Sequence, residues 1–386
     1  MKRIAIDERP GWRESAEALG FTWHHADGRR YWDERAYYAF TPEEIDGRIE
    51  TVAAELHAMC LDLVDEAVRS EALMARLAIP ETVRDDVADS WTRRDPSLYG
   101  RFDFAYDGEG PARLLEYNAD TPTSVYESAA YQWLWLESLI ADGRLPPHAD
   151  QFNSLHERLE ARFREIFPAG GFVHFASDPD AVEDRQTVRY LEDLAAQAGL
   201  EPTFVALSDI GVDADGQFVD AQDYLIAALF KLYPWEEMFR EDYARHLTGA
   251  RTRFLEPPWK AILSNKGLLP LLWARHAGHP NLLPAYFEDD PRIAELGRSY
   301  VRKPLFSREG ANVELVDRGR RAAVLDQGYG GEGWVRQALH LLPRFEGNYP
   351  VLGAWMVGDQ PAGLGIREDR SRITRNLSRF VPHAII

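Results

Sequence analysis

Two alternating runs separated by a turn demand a sheet in this chain. In RFDFAY, residues 101–106, Phe102, Phe104 and Tyr106 face one way, while Arg101, Asp103 and Ala105 face the other. In ARLLEYN, residues 112–118, Leu115 and Tyr117 fall on one side and Leu114, Glu116 and Asn118 on the other. The intervening DGEGP is a cluster of turn residues, so the two runs read as a hairpin with a loop of about six residues. A centred loop pairs Asp103 with Glu116 and Arg101 with Asn118. Two carboxylates then stand side by side in strands otherwise suited to burial.

Like charges opposed on a sheet destabilise it unless something cationic lies between them. Two carboxylates and an amide are hard oxygen donors, suited to Mg²⁺, which typically takes one or two carboxylates together with substrate phosphates. On that reading Asp103, Glu116 and Asn118 form a magnesium platform, and Arg101 reaches an oxyanion. The other reading is a hairpin whose polar face is simply wet. Spacing alone leaves both open.

GRFDF at 100–104, LLEYNADTPTS at 114–124 and then Glu127 resemble the synthetase domain of glutathionylspermidine synthases and their shorter relatives. The likeness continues through PWEEMF at 234–239, LEPPWKAILSNKGLLPLLW at 255–273, YVRKPLFSREGANVELV at 300–316 and GLGIRED at 363–369. The resemblance implies a mixed α/β (α+β) chain with an ATP-grasp fold, a preceding α/β substrate-side domain and a helical amino-terminal region. The expected organisation is a helical region at 1–95, and a hairpin and helix with the metal ligands at 96–168. A substrate-side α/β domain at 169–262 and a nucleotide clamp at 263–386 follow.

The activity implied is an ATP-dependent carboxylate–amine ligase with an acyl phosphate intermediate, using Mg²⁺ at Asp103, Glu116 and Asn118. Lys266 and Lys303 would contact the nucleotide, Arg308 would belong to a loop closing on phosphates, and Gln337 would begin an adenine seat running to Leu342. Arg101 and Arg367 would be catalytic, Arg101 also touching the nucleotide and Arg367 neutralising the reacting carboxylate. Thr121, Thr123 and Ser124, with Glu183 and Asp184, would contact substrates, although acids in a first helical turn are also ordinary dipole partners. The expected substrates are a small peptide or other carboxylate acceptor and an amine or polyamine. The strand beginning NYPVL departs from the full-length synthases, with Val351 where a polar side chain is expected. That leaves the acid open.

A formal charge of −19 argues against a nucleic-acid partner and suits a cationic one. No apolar run approaches the roughly 18 residues of a membrane span, and no secretory signal opens the chain, so a cytoplasmic location is expected. The single cysteine, Cys60, excludes an internal disulfide. It lies beside a helical stripe of Ile45, Ile49, Val52, Leu56, Met59, Leu63 and Ala67 that opens on a Thr41–Glu44 capping box. Cys60 is expected to pack rather than react. Two-function members of the family carry an additional amidase with a nucleophilic cysteine; this chain has no room for that domain, and no amidase is expected.

Elsewhere, residues 1–95 read as largely helical after MKRIAI. A helix is expected from about Ser124 through AAYQWLWLESLIA, with Trp133, Leu134 and Leu136 in the core. GFVHFAS, a helix from Val182 to Ala198, and PTFVALS read as a β-α-β unit. GYGGEG at 328–333 resembles a dinucleotide fingerprint but follows an expected helix, AAVLDQ, and precedes a strand, so it reads as a loop. MVGDQPAGLGIRED reads as two strands and a turn. Two other function classes stay open: a non-catalytic ATP- or polyamine-binding relative, and a glycosidase using Asp103 and Glu116. Nucleotide binding separates the glycosidase from the others, and ADP release separates the non-catalytic relative.

Overall fold

The computed structural model describes residues 1–386 except 27, 309, 323–325 and 375–377. The hairpin forms from Tyr99–Ala105 and Arg113–Asn118, with Arg101 opposite Asn118 and Asp103 opposite Glu116, as the centred loop requires. A bulge follows: Phe104 faces Leu114 rather than Leu115. The extra residue reverses the expected placement of the two leucines, because a bulge resets the alternation on one strand. Leu114 is fully buried in the main core, whereas Leu115 turns toward a cleft. On the core side Phe102 stacks on Tyr117 at a centroid distance of 3.8 Å, a contact worth about 0.5–1.5 kcal/mol beyond the area it buries.

The hairpin is the edge of a five-stranded antiparallel sheet. Tyr349–Val357 pairs with Tyr99–Ala105, Gln360–Asp369 pairs with Tyr349–Val357, and Arg379–Phe380 completes the order. Gly353, opposite Asp103, is required there, since a Cβ would lie 2.7 Å from the Arg101 Cδ. The two strands read in MVGDQPAGLGIRED are thus present, and they bring Arg367 into the hairpin's sheet.

A second antiparallel sheet runs Ala285–Phe287, Trp334–Ala338, Tyr300–Pro304, Glu314–Asp317 and Arg320–Arg321. Residues 328–333 form no helix, consistent with a loop. The centre of the expected AAVLDQ helix, 323–325, lies outside the described residues; Ala322, Asp326 and Gln327 beside it are not helical. The third sheet is parallel, in the order Arg253–Leu255, Ala228–Lys231, Gly171–Ser177, Leu200–Ala206, and the helix Val182–Gln197 makes the expected β-α-β crossover.

The amino-terminal region departs from the helical expectation. Lys2–Ala5, Ala36–Phe40 and His383–Ile385 form a three-stranded sheet, one short helix, Trp12–Ala18, lies between the first two strands, and the longer helical run begins at the Thr41 capping box. All five residues of AYYAF are buried, so the strand lacks the alternation that would have marked it. The helix Thr51–Ala67 buries the expected stripe, and Cys60 is fully buried within it.

In Gln132–Ala141 the buried stripe is Gln132, Trp135, Leu136 and Leu139, at the i, i+3, i+4, i+7 spacing. Trp133 and Leu134 lie off that stripe and are 37% and 36% exposed, so neither belongs to the core. No helix among the described residues is long and apolar enough to cross a membrane.

Candidate active site

A cleft of about 360 Å³ opens where the hairpin, the second antiparallel sheet and the loop residues Ser307, Arg308, Gly310 and Val313 meet. The hairpin's polar face forms its acidic wall. Arg101 donates from Nε to Asp103 Oδ1 at 2.8 Å, from Nη2 to Asp103 Oδ2 at 3.2 Å, and from Nη1 to the Thr123 carbonyl at 2.8 Å. Asn118 donates to Asp103 Oδ2 at 3.1 Å. Glu116 Oε2 lies 3.5 Å from Lys266 Nζ.

The pKa values of the two opposed carboxylates are shifted in opposite directions. Burial raises the Asp103 pKa despite Arg101 beside it, and the Glu116 charge pushes the same way. Burial also penalises Glu116, but Lys266, Lys303 and Arg101 outweigh it and hold that carboxyl below its ordinary value.

The opposite wall is cationic. Lys266 donates to the Ser307 carbonyl at 2.8 Å. Lys303 donates to the Leu115 carbonyl at 2.7 Å and to Gln337 Oε1 at 2.9 Å, and Gln337 returns a bond to the Leu114 carbonyl at 3.0 Å. The bulge is what presents these two carbonyls. Burial lowers the Lys303 pKa to about 8, reinforced by Lys266 and opposed by Glu116 and Asp103. Beyond Gln337 the cleft becomes apolar, lined by Leu283, Val301, Leu315 and Leu342.

Arg308 donates to Thr121 Oγ1 at 2.7 Å and lies 3.7 Å from Glu236 Oε1. Arg367 stands opposite Val351, donates to the Ser378 carbonyl at 3.2–3.3 Å, and sits 5.7 Å from the Tyr31 ring centroid. The cleft therefore gathers Arg101, Asp103, Glu116, Asn118, Thr121, Thr123, Asp184, Lys266, Lys303, Arg308, Gln337 and Arg367.

Two expected contacts lie elsewhere. Ser124 lines a small recess behind Arg101, with its Oγ 3.1 Å from the Tyr31 hydroxyl. Its φ of 70° is a left-handed conformation uncommon for serine. Glu183 is half-buried, and its charge bears on the buried Glu127 rather than on the lining of the cleft. Glu127 is 1% exposed and accepts from Trp23 Nε1 at 2.9 Å. Its Oε2 and the Oε1 of Glu183 have no partner among the described residues. Burial first, and Glu183 second, push Glu127 up to about 7.

Sequence reasoning missed Asp120, Lys231 and Glu236. Asp120 is 1% exposed, lines the cleft, and accepts from Lys231 Nζ at 2.9 Å and from the Trp235 N–H at 2.8 Å. Asp120 and Glu236 lie inside ADTPTS and PWEEMF, but a lone acid in a turn carries no periodic signal.

A family model described as "Glutathionylspermidine synthase preATP-grasp" matches residues 3–386. A protein of Haemophilus influenzae named "Putative acid--amine ligase" is 41% identical over the whole of both chains. Trypanothione synthetase of Crithidia fasciculata is 29% identical over 83% of this chain and 52% of its own length, so this chain spans about half of that protein. A solved glutathione synthetase-like effector of Globodera pallida covers 98% of both chains with a TM-score of 0.59 at 13% identity, which shows a shared fold. Matched from residue 3 to its last residue, the chain belongs to the glutathionylspermidine synthase family and, like its ligase relatives, joins an acid to an amine.

Proposed function

We propose that the cleft binds ATP, transfers its terminal phosphoryl group to a substrate carboxylate, and passes the resulting acyl phosphate to an amine. The observation that carries this is the convergence of Arg101, Lys266, Lys303, Arg308 and Arg367 on one cleft of a chain with a net charge of −19. Phosphoryl transfer depends on positioning and charge neutralisation, which such a set supplies without a protein nucleophile. The carboxylate oxygen attacks the γ-phosphorus and ADP leaves. The amine nitrogen then attacks the acyl carbon, the carbon–oxygen bond to phosphate breaks, and the ammonium proton passes to a base.

Lys266 and Lys303 hold the phosphates, and Arg308 meets them from the loop. The apolar slot beyond Gln337 takes the base. Asp103, Glu116 and Asn118 offer hard oxygens on one wall, a donor set that fits Mg²⁺. When bound there, the ion supplies neutralisation of phosphate charge. Arg101 and Arg367 orient the carboxylate, and Thr121 and Thr123 flank it.

Asp184 on the cleft, with Glu183 next to it in sequence, suits an amine or polyamine. The acid is a small peptide or another carboxylic acid meeting Val351 as an apolar wall. Residues 263–386 with the hairpin grasp the nucleotide, 169–262 serve the substrate side, and the reaction belongs in the cytosol.

The test incubates the protein with MgATP and a matrix of short peptides and other carboxylic acids against diamines and polyamines. ADP formation and product mass are read together. One accepted pair should give ADP and an amide whose mass is the sum of both substrates less one water. Nucleotide binding without ADP release across the matrix would mark a non-catalytic relative, and no nucleotide binding would overturn the reading.

A further inference from the structure

The segment PWEEMF stands apart from the roles assigned above, yet its first acid, Glu236, faces the cleft. Glu236 lies in the short helix Trp235–Met238, its side chain is 10% exposed, and it lines the same cleft as Arg308. This helix is tied to the Thr121 loop by the Trp235 N–H, which donates to Asp120, while Lys231 beneath it holds the other oxygen of Asp120. Arg308 comes from the far side of the cleft. Its Nη2 donates to Thr121 Oγ1 at 2.7 Å and stands 3.7 Å from Glu236 Oε1. The guanidinium thus sits between a hydroxyl and a carboxylate on two segments that Asp120 joins.

Near the carboxylate of Glu236 are Arg308, Asp120 and Lys266. Asp120 is neutralised by Lys231, and Lys266 is engaged with the Ser307 carbonyl and Glu116. Arg308 is therefore the charge that Glu236 most directly serves. Burial pushes the Glu236 carboxyl up, with Arg308 first among the groups drawing it back.

We propose that Glu236 is a positioning residue that holds Arg308 in the cleft before nucleotide arrives. It rests on the reading that Arg308 contacts phosphates. A free arginine would have to be ordered on binding, and Glu236 removes that cost in advance.

The test is a double-mutant cycle on the whole chain, reading the Kd of a non-hydrolysable ATP analogue with Mg²⁺ by calorimetry, with thermal melts to confirm folding. Glu236→Gln should weaken binding about three- to tenfold, the cost of immobilising one long side chain. In an Arg308→Met background the same change should leave Kd unaltered. Glu236→Asp, which keeps the charge, should stay within about twofold of the unaltered protein.

Equal weakening in both backgrounds, tighter binding by Glu236→Gln alone, or an Asp variant as weak as the Gln variant would each overturn the proposal. Failure of the unaltered protein to bind the analogue would instead overturn the nucleotide reading beneath it.

Discussion

Asp103 stands directly across the hairpin from Glu116, and the two carboxylates are perturbed in opposite directions. Arg101 grips both oxygens of Asp103, while the lysines across the cleft hold Glu116 ionised. Opposed acids survive on a sheet only with cations around them. Here the cations are Arg101 on the same strand and Lys266 and Lys303 on the opposite wall, so the hairpin's polar face and the lysine wall are one electrostatic unit.

Asp103→Asn keeps the side chain's size and its capacity to accept from Arg101, but removes one negative oxygen donor. ADP release should fall by at least about two orders of magnitude, the scale of losing a preorganised charge contact. Raising Mg²⁺ should restore part of it. The variant should still melt cooperatively, because Phe102, Phe104 and Tyr117 on the buried face are untouched. ADP assays over a magnesium series, with melting curves, check this.

If Lys303 meets the phosphates as proposed, nucleotide affinity should fall and stability rise over the same pH interval. Its pKa of about 8 in the folded chain lies below that of a free lysine near 10.5. Between those values the unfolded chain binds more protons, so stability increases with pH there. The ammonium that meets phosphate is meanwhile lost above about 8, so affinity should drop by up to about tenfold per pH unit. Calorimetric titrations and denaturant melts from pH 7 to 10 should show the two opposite trends, and Lys303→Met should flatten both.

The hairpin register was legible because strict alternation flanked a recognisable turn, and Asp103–Glu116 and Arg101–Asn118 followed from it. The bulge was not, since leucines at 114 and 115 are equally apolar and only packing decides which one is buried. YQWLWL hides its helical period in a continuous apolar run, so Trp133 and Leu134 could not be told from Trp135 and Leu136. The decisive polar pairs are long-range: Asp120 meets Lys231 across 111 residues, and Arg308 meets Thr121 across 187. Single residues so far apart leave no local pattern.

Arg367→Ala should separate binding from chemistry. The lysine side of the cleft is unaffected, so nucleotide Kd should stay within about threefold. The carboxylate being phosphorylated would lose its charge partner, and ADP release should fall by about two to three orders of magnitude. Calorimetry and single-turnover kinetics distinguish the two effects.

Cys60→Ser should leave the rate unchanged. The thiol is fully buried in the helix Thr51–Ala67, and burial pushes its pKa up, away from thiolate chemistry. A serine hydroxyl there must find a partner in an apolar setting, at a cost of about 1–3 kcal/mol. A lower melting temperature with unchanged ADP release is expected; loss of activity in a folded variant would point to a thiol enzyme.

Glu127→Gln should stabilise the chain above neutral pH without touching the cleft. With its carboxyl pushed up to about 7, the folded chain keeps a proton that the unfolded chain releases near 4.5. Stability therefore declines as pH rises from about 4.5 to 7, and the folded state carries the full penalty above 7. Glutamine has no such charge to bury. Its Oε1 can still accept from Trp23, and its amide can donate where Glu127 Oε2 now lacks a partner. At pH 8 the variant should gain on the order of 1–3 kcal/mol, the scale of the raised Glu127 carboxyl. At pH 5, where Glu127 is already neutral, the gain should nearly vanish. Glu127 does not line the cleft, so the variant should bind nucleotide and form amide at close to the unaltered rate. Denaturant melts at pH 5 and 8 test the stability claim. Product formation from an accepted acid–amine pair across the same range should match the unaltered protein, and a changed pH profile would place Glu127 in the proton path.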